Sequence, residues 1–576
     1  MKSFLRKTAV ITLIAAIVGP LLMVSGSFAK TPRLTEEQRI VHVLNRLGFG
    51  PRPGDVERIK SIGIENYINQ QLAPEKISDT VAESKTQDLS ALKMSTAELY
   101  EKYPQPGQLI RRLQDRGMLP KDLAEAQGNQ ENNPRQNPEY RKLIQEYYKE
   151  NGLEQPQRII AELQASRILR AVYSERQLQE VMVDFWTNHF NVFFGKGADR
   201  WLLPSYDRDT IRPHAMGKFS ALLQATAQSP AMLFYLDNFQ SVSPNAEPPR
   251  AQQMMNAPQQ RQRRGINENY ARELMELHTL GVDGGYTQKD VTEVARCFTG
   301  WTIFQPRGGA AAVNALRRKE GGEDAPTRRR PARPAGTFFF NMRAHDDGEK
   351  VVLGQKISAG GGFNDGLKVL DILARHPSTA KFIATKLVRH FVSDTAPPAL
   401  VNRVAAAFAK SDGDIREMLK AIFFSNEFYS PEAYRAKVKR PFELAVSAIR
   451  ILGADTNGGP GTHQWIARMG EPLYGFQTPN GYSDAAESWV NTGGLLERMN
   501  FGVALAGNRI QGTRVDLAQV VKQTEKNKVV DESLRRILAG EVSTATRDSL
   551  MKKVDPADPT AKVVGLILGT PEFQRQ

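Results

Sequence analysis

Apolar side chains recur at helical spacing along almost the whole chain, and strand-like signals are confined to one short stretch. Thr35 and Gln38 are spaced as a capping box that opens a helix through His42 and Leu44 to Leu47, closed by Gly48. Pro53-Gly54-Asp55 starts a second short helix ending near Gly63. Ser174 and Gln177 are spaced to box a long helix whose apolar side runs Leu178, Val181, Met182, Phe185 and His189. Asn267 to Leu280 reads as a helix with Gly281 as its C-cap, and a Thr287/Asp290 box opens another over Gln288 to Phe298. Thr337 to Arg343 and Lys350 to Leu353 flank an Asp347-Gly348 turn, the one β-hairpin signal. Helices resume from Gly366 to the end, except for a Gly/Pro/aromatic stretch from Gly470 to Tyr482. The pattern predicts a mainly α protein: a large multi-helix body with one small β-hairpin.

Three stretches break this pattern. Residues 86–160 are polar and helix-prone, interrupted by Pro104-Gln105-Pro106-Gly107 and by a Gln/Asn-rich run from Gln127 to Asn137, and read as an inserted polar helical arm. Residues 240–265, rich in Pro, Gln, Arg and Met, and 305–336, rich in Gly, Ala, Pro and Arg, read as disordered insertions.

The first 29 residues read as a signal peptide. Lys2, Arg6 and Lys7 precede an apolar run from Ala9 to Val24, and Ser27-Phe28-Ala29 forms a small-x-small cleavage site. The run falls short of the ~20 residues that span a bilayer. The expectation is therefore an exported protein, periplasmic or extracellular, with no transmembrane helix in its mature form and residues 30–576 as a single large helical domain. Composition fits: 576 residues with 40% apolar and 24% charged side chains exclude a collagen, a fully disordered chain or a disulfide-stapled miniprotein. Cys297 is alone, so no intrachain disulfide forms and packing must supply stability.

Removing the three basic residues of the leader lowers the formal charge from +14 to +11. Much of the excess sits between Arg307 and Arg333, where eight Lys/Arg face only Glu320, Glu323 and Asp324. An exported protein rarely meets nucleic acid, so the expected counter-surfaces are anionic polysaccharide, lipid head groups or an acidic envelope partner, the other reading being a plain solvated loop.

Several blocks line up with one family. HVLNRLGFGPRPGDVERI from His42, FWTNHF from Phe185, the block Asn267 to Trp301, HDDGEKVVLG from His345 and KVKRPFELAVSAIR from Lys437 together resemble the bacterial domain of unknown function 1800. The resemblance implies an exported, mainly helical protein, often encoded beside domain of unknown function 1501, whose members resemble sulfatases and alkaline phosphatases. A sulfatase-like protein of that kind is thus an expected partner. The resemblance carries no catalytic residues.

Candidate chemistry comes from the residues themselves. Asn269, Glu273 and Glu276 share one stripe of a regular helix, beside Arg272, and two carboxylates one turn apart could bind a hard cation or divide acid and base roles. The same residues also suit ordinary Glu268–Arg272 and Arg272–Glu276 helix pairs. His189 suits a core histidine, a metal ligand or a general base, and His345 with Asp346 suits a metal. Convergence of His189, Glu273, His345 and Asp346 would build a divalent-metal site with an open position for water. Tyr474, Tyr482 and Trp489 offer aromatic faces that could stack on sugars or bury a loop. No HExxH, CxxC, GxSxG, Walker or dinucleotide motif is present.

The leading expectation is therefore an exported cell-envelope protein that binds or assembles an anionic polymer or partner. The alternative is a metal-assisted hydrolase of acidic or sulfated polysaccharide using His189, Glu273 and Glu276. A second alternative is a haem-binding, peroxidase-like protein, because YAREL, with His189 upstream and His390 downstream, resembles the helix order of animal-type peroxidases.

Overall fold

The capping box at Thr35 forms as its spacing requires: Thr35 Oγ1 accepts the Gln38 amide at 3.2 Å, and Gln38 Oε1 accepts the Thr35 amide at 2.8 Å. It opens Glu36–Arg46 (α1), which buries Ile40, Val43 and Leu44, and Asp55–Ile62 (α2) follows and ends at Gly63. The structure, a computed structural model, describes residues 33–105, 109, 138–246, 265–308, 333–555 and 557–576. The predicted signal peptide, the Gln/Asn-rich run and the middles of both predicted insertions lie outside the described residues.

Gln157–Tyr173 (α3) runs through the body and buries residues on nearly every side, among them Ile159, Ile160, Leu163, Ile168 and Val172. The box predicted from Ser174 and Gln177 does not form. Gln177–His189 (α4) starts behind Arg176 with no side-chain cap. Ser174 Oγ instead accepts the Arg176 amide and donates to Asp79, while Gln177 Nε2 donates to the Ala171 and Ser174 carbonyls and its Oε1 accepts the Phe49 amide. Both side chains take tertiary partners, which replace the local cap.

The predicted 86–160 arm folds back at both described ends. Leu99, Tyr100, Tyr103 and Ile159 bury around Trp201, whose indole donates to the Tyr103 carbonyl at 2.7 Å. Pro230–Tyr235 (α5) precedes the first predicted insertion, which is closed at its base by the Val242 amide on the Gly265 carbonyl at 3.2 Å.

Asn267 does cap a helix, Glu268–Glu273 (α6), but the next turn, Leu274–Thr279, is π-helical. The extra residue in that turn breaks the regular stripe predicted for Asn269, Glu273 and Glu276. Gln288–Cys297 (α7) keeps its reciprocal Thr287/Asp290 box.

The predicted hairpin across Asp347-Gly348 is not made. Thr337–Phe340 (β2) pairs antiparallel with Trp301–Phe304 (β1), and Lys350–Val352 (β3) pairs with Gln355–Ile357 (β4). The tight turn is Leu353-Gly354, both at positive φ (48° and 74°), which matches strand twist, whereas Asp346 beside the predicted turn is held by Arg296. A third two-stranded sheet pairs Asp455–Thr456 with Thr513–Arg514.

Phe363–Ala374 (α8), Pro377–Phe391 (α9), Pro441–Ile451 (α10), Thr492–Ala506 (α11) and Thr560–Leu568 (α12) complete the helices that bear on the sites below. One contiguous apolar core runs from Ile40 to Phe573. Among the described residues no helix is long and apolar enough to cross a membrane.

Candidate functional site

α4 carries Asp184, Phe185, Asn188 and His189 toward α9 and the loop that follows Gly470. Asp184 is buried and accepts short ion pairs from Arg167 of α3 and Arg440 just before α10. Arg440 Nη1 also donates to Glu471 at 2.9 Å, and Glu471 accepts the Phe442 amide at 2.9 Å. The chain of charge continues: Arg167 lies over the Tyr474 ring at 5.0 Å, the Tyr474 hydroxyl donates to Asp207, and Arg212 binds both Asp207 and Glu180. Burial disfavours ionised Asp184, but the two guanidinium groups outweigh it and bring the carboxyl down to about 2. These charges are paired with one another, so they hold α3, α4 and α10 in register and leave little capacity for a ligand.

A narrow recess opens beside this network, lined by Phe185, Asn188, His189, Lys386, His390, Arg440 and Asp484. His189 Nε2 lies 3.1 Å from the His278 carbonyl, so it carries the proton, and Nδ1 is a buried acceptor without a partner among the described residues. Burial and the nearby Lys386 ammonium hold His189 neutral, well below its ordinary value. Burial brings His390 down to about 4, partly offset by Glu443 and Asp484. Lys386 is itself lowered by burial, with Asp484 opposing, and makes no ion pair within 4.0 Å among the described residues. The recess thus places one ammonium donor and one imidazole acceptor together. Sequence reading missed Lys386, although it lies one turn before His390 on the same helix face.

The predicted site residues fall into three groups, the first two adjoining through the His189 contact to the His278 carbonyl. Around the recess, Asn188 clamps the loop by donating to the Tyr482 carbonyl and accepting its amide. Tyr474 is buried, and Trp489, also buried, donates to the Ser483 carbonyl at 2.9 Å. Neither presents a free ring face; the loop is seated by Gln164, Asn191 and Tyr235, which bind the carbonyls of Leu473, Phe476 and Gln477. The sugar-stacking expectation for Tyr474 and Trp489 is therefore corrected to loop burial.

The second place is α6 and its π turn. Glu268 and Arg272 pair at 3.8 Å, while Arg272 donates to Gln288 and the Tyr286 hydroxyl donates to Glu276 at 3.1 Å. Burial and then Glu276 raise Glu273 above the usual carboxylate range. Asn269 gives its amide to the Asn267 cap.

The third place is the loop before β3. His345 Nδ1 meets the Thr299 carbonyl at 2.8 Å and Nε2 meets Asp365 at 3.1 Å, so both ring nitrogens are engaged. Lys350 Nζ holds the same Asp365 carboxylate at 2.5 Å, and Asp346 makes a two-pronged pair with Arg296. The convergent site of His189, Glu273, His345 and Asp346 is not assembled. Among the described residues no group of three or more His, Cys, Asp or Glu is placed to hold a metal ion. The Phe185 ring lies between the two histidines of the peroxidase-like reading, with centroids 6.3 Å from His189 and 5.2 Å from His390. Cys297 is buried and burial pushes its thiol up to about 12, so it packs as an apolar side chain.

The fold and these sites define a mainly helical protein organised around a buried ionic network. The family model described as "Protein of unknown function (DUF1800)" matches residues 42–575, and the chain belongs to that family. No curated protein and no solved structure matches it.

Proposed function

We propose that this is an exported cell-envelope protein that binds an anionic polymer through the basic segment between β1 and β2. One observation carries the reading: β1 and β2 pair over Trp301–Phe304 and Thr337–Phe340, so all eight Lys/Arg from Arg307 to Arg333 fall in the sequence that joins these two paired strands. The loop is closed at its base, where the Gly336 amide donates to the Phe304 carbonyl at 2.7 Å. A segment tethered at both ends to paired strands keeps its charge on one short stretch of chain, which favours attraction for a polyanion. Its base also adjoins the aromatic loop, because α5 places Phe234 under Arg307 and bonds Tyr235 to the Gln477 carbonyl. Polymer held there lies next to the half-buried Phe476 and Tyr482 rings.

The test compares the mature chain with a variant lacking residues 309–332 on immobilised dextran sulfate and polygalacturonate. The intact chain should be retained at low salt and released as salt rises. The deletion should bind at least tenfold more weakly with an unchanged Tm. Equal binding by the two proteins would sink the proposal.

A further inference from the structure

α8 ends at Ala374, and Pro377 opens α9 after a two-residue corner. The helix Pro398–Lys410 packs against α9 and buries Leu400, Val401, Val404 and Phe408. Where these elements meet at the surface their residues are short: Ala374, Pro377 and Ala380 around the corner, and Ala405, Ala406 and Ala409 on the helix. An alanine stops at Cβ, so the space between the elements is left unfilled. A half-open cleft of about 420 Å³ results, with the buried Phe408 ring in its lining. The turn after the helix is firm, because the Gly413 amide donates to the Phe408 carbonyl and its own carbonyl accepts the Phe219 amide, both at 2.8 Å. Two charged side chains, Arg375 and Asp412, also line the cleft and are exposed. They are spent on each other: Arg375 Nη1 lies 2.8 Å from Asp412 Oδ1, and its Nε donates to Asp371 at 2.7 Å. A charged ligand of either sign would therefore meet a like charge beside its partner.

We propose that this cleft binds an uncharged, planar aromatic alcohol of two fused rings. Its size lies within the ~300–1,000 Å³ of small-molecule sites, and a cavity of ~150 Å³ already admits one benzene, so two rings have room. Alanine methyl groups present a shallow wall, which the face of a ring covers more fully than a branched or puckered skeleton does. The Arg375 pair uses Oδ1 of Asp412, which leaves Oδ2 to accept the ligand hydroxyl. The mainly apolar lining selects against a sugar or a polyanion. The site is separate from the basic loop and does not depend on it.

Calorimetric titration of the full mature chain with 2-naphthol at pH 7 tests this, with 2-naphthoate as the charged control and 2-decalol as the puckered one. One 2-naphthol should bind per chain, and both controls should bind at least tenfold more weakly. Ala409 is exposed on its helix, so Ala409→Trp should keep the parent Tm while blocking the cleft and losing 2-naphthol. Should that variant fail to fold, Ala406→Phe blocks the cleft from another exposed position and should give the same loss. Asp412 sits at φ +54°, a conformation asparagine also accepts. Asp412→Asn should therefore keep the turn, and by freeing Arg375 of one partner it should shift the preference toward 2-naphthoate at least threefold. The proposal is overturned if 2-naphthol shows no saturable binding, if 2-naphthoate or 2-decalol binds equally well, or if both blocked variants bind like the parent. A dimer of the intact chain that Ala409→Trp dissociates, with no uptake of 2-naphthol, would give the cleft to a second copy and overturn it too.

Discussion

Asp184 shows how one side chain sets the energetics of its surroundings. It serves two guanidinium groups, from Arg167 and Arg440, inside the protein. Removing one partner of a buried pair leaves the other charges uncompensated, so Asp184→Asn should cost about 3–5 kcal/mol in urea unfolding at pH 7. The acid limb follows from the same contacts. With its carboxyl brought from 3.8 to about 2 in the fold, Asp184 stabilises above its unfolded value, and that contribution of about 2 kcal/mol is lost as pH falls through this window. The histidines act at higher pH. Burial brings His278 to about 3 and His390 to about 4, so both stay neutral in the fold and charge near 6.5 once unfolded. Their effect is absent above about 6.5. As pH drops from there toward 4, each lowers stability by about 1.4 kcal/mol per pH unit. His390→Gln should flatten the decline of Tm between pH 6.5 and 4, and an unchanged slope would contradict the assignment.

Among the helices, the closest contact that small residues permit is between α11 and α12. A Cβ added at Gly565 would meet the Val503 Cα at 2.8 Å, and one added at Gly502 would meet the Gly565 carbonyl oxygen at 2.9 Å. Backbone lies against backbone there, so no side-chain rotation relieves the clash. Gly565→Val should therefore destabilise by about 1–3 kcal/mol or more, read from chemical denaturation. Gly481 plays a comparable part in the aromatic loop. It sits at φ +71° and an added Cβ would meet the Asn188 carbonyl oxygen at 2.2 Å, which suits a loop pinned against α4.

At the scale of the whole molecule, one large apolar core spans the body, with two smaller clusters beside it, while the charges are partitioned. The ionic network around Asp184 joins α3, α4 and α10 inside the body, whereas the basic segment is tied to the body by the β1–β2 pair. This division explains why deleting 309–332 should leave Tm unchanged while polymer binding collapses. The deleted residues hold few apolar side chains to bury, and the strand pairing that closes the loop lies outside the cut.

Helical class, the Thr35 and Thr287 caps and the family were determined by the sequence alone, because helix period and capping are local and the family blocks are contiguous. Local spacing misled wherever a polar side chain had a stronger distant partner. Ser174 turns to Asp79, Gln177 to Phe49, and Asp346 to Arg296, so a cap and a hairpin that satisfied every neighbour rule were not made. Strand partners were equally out of reach, since β1 and β2 lie 32 residues apart across a segment with no pattern of its own. Tertiary structure decided that His189, Glu273 and His345 do not converge on one metal-holding cluster and that Lys386 lines the same recess as His189. Each is a matter of which charges reach one another through the packed core, and burial gives those long-range pairings their energy.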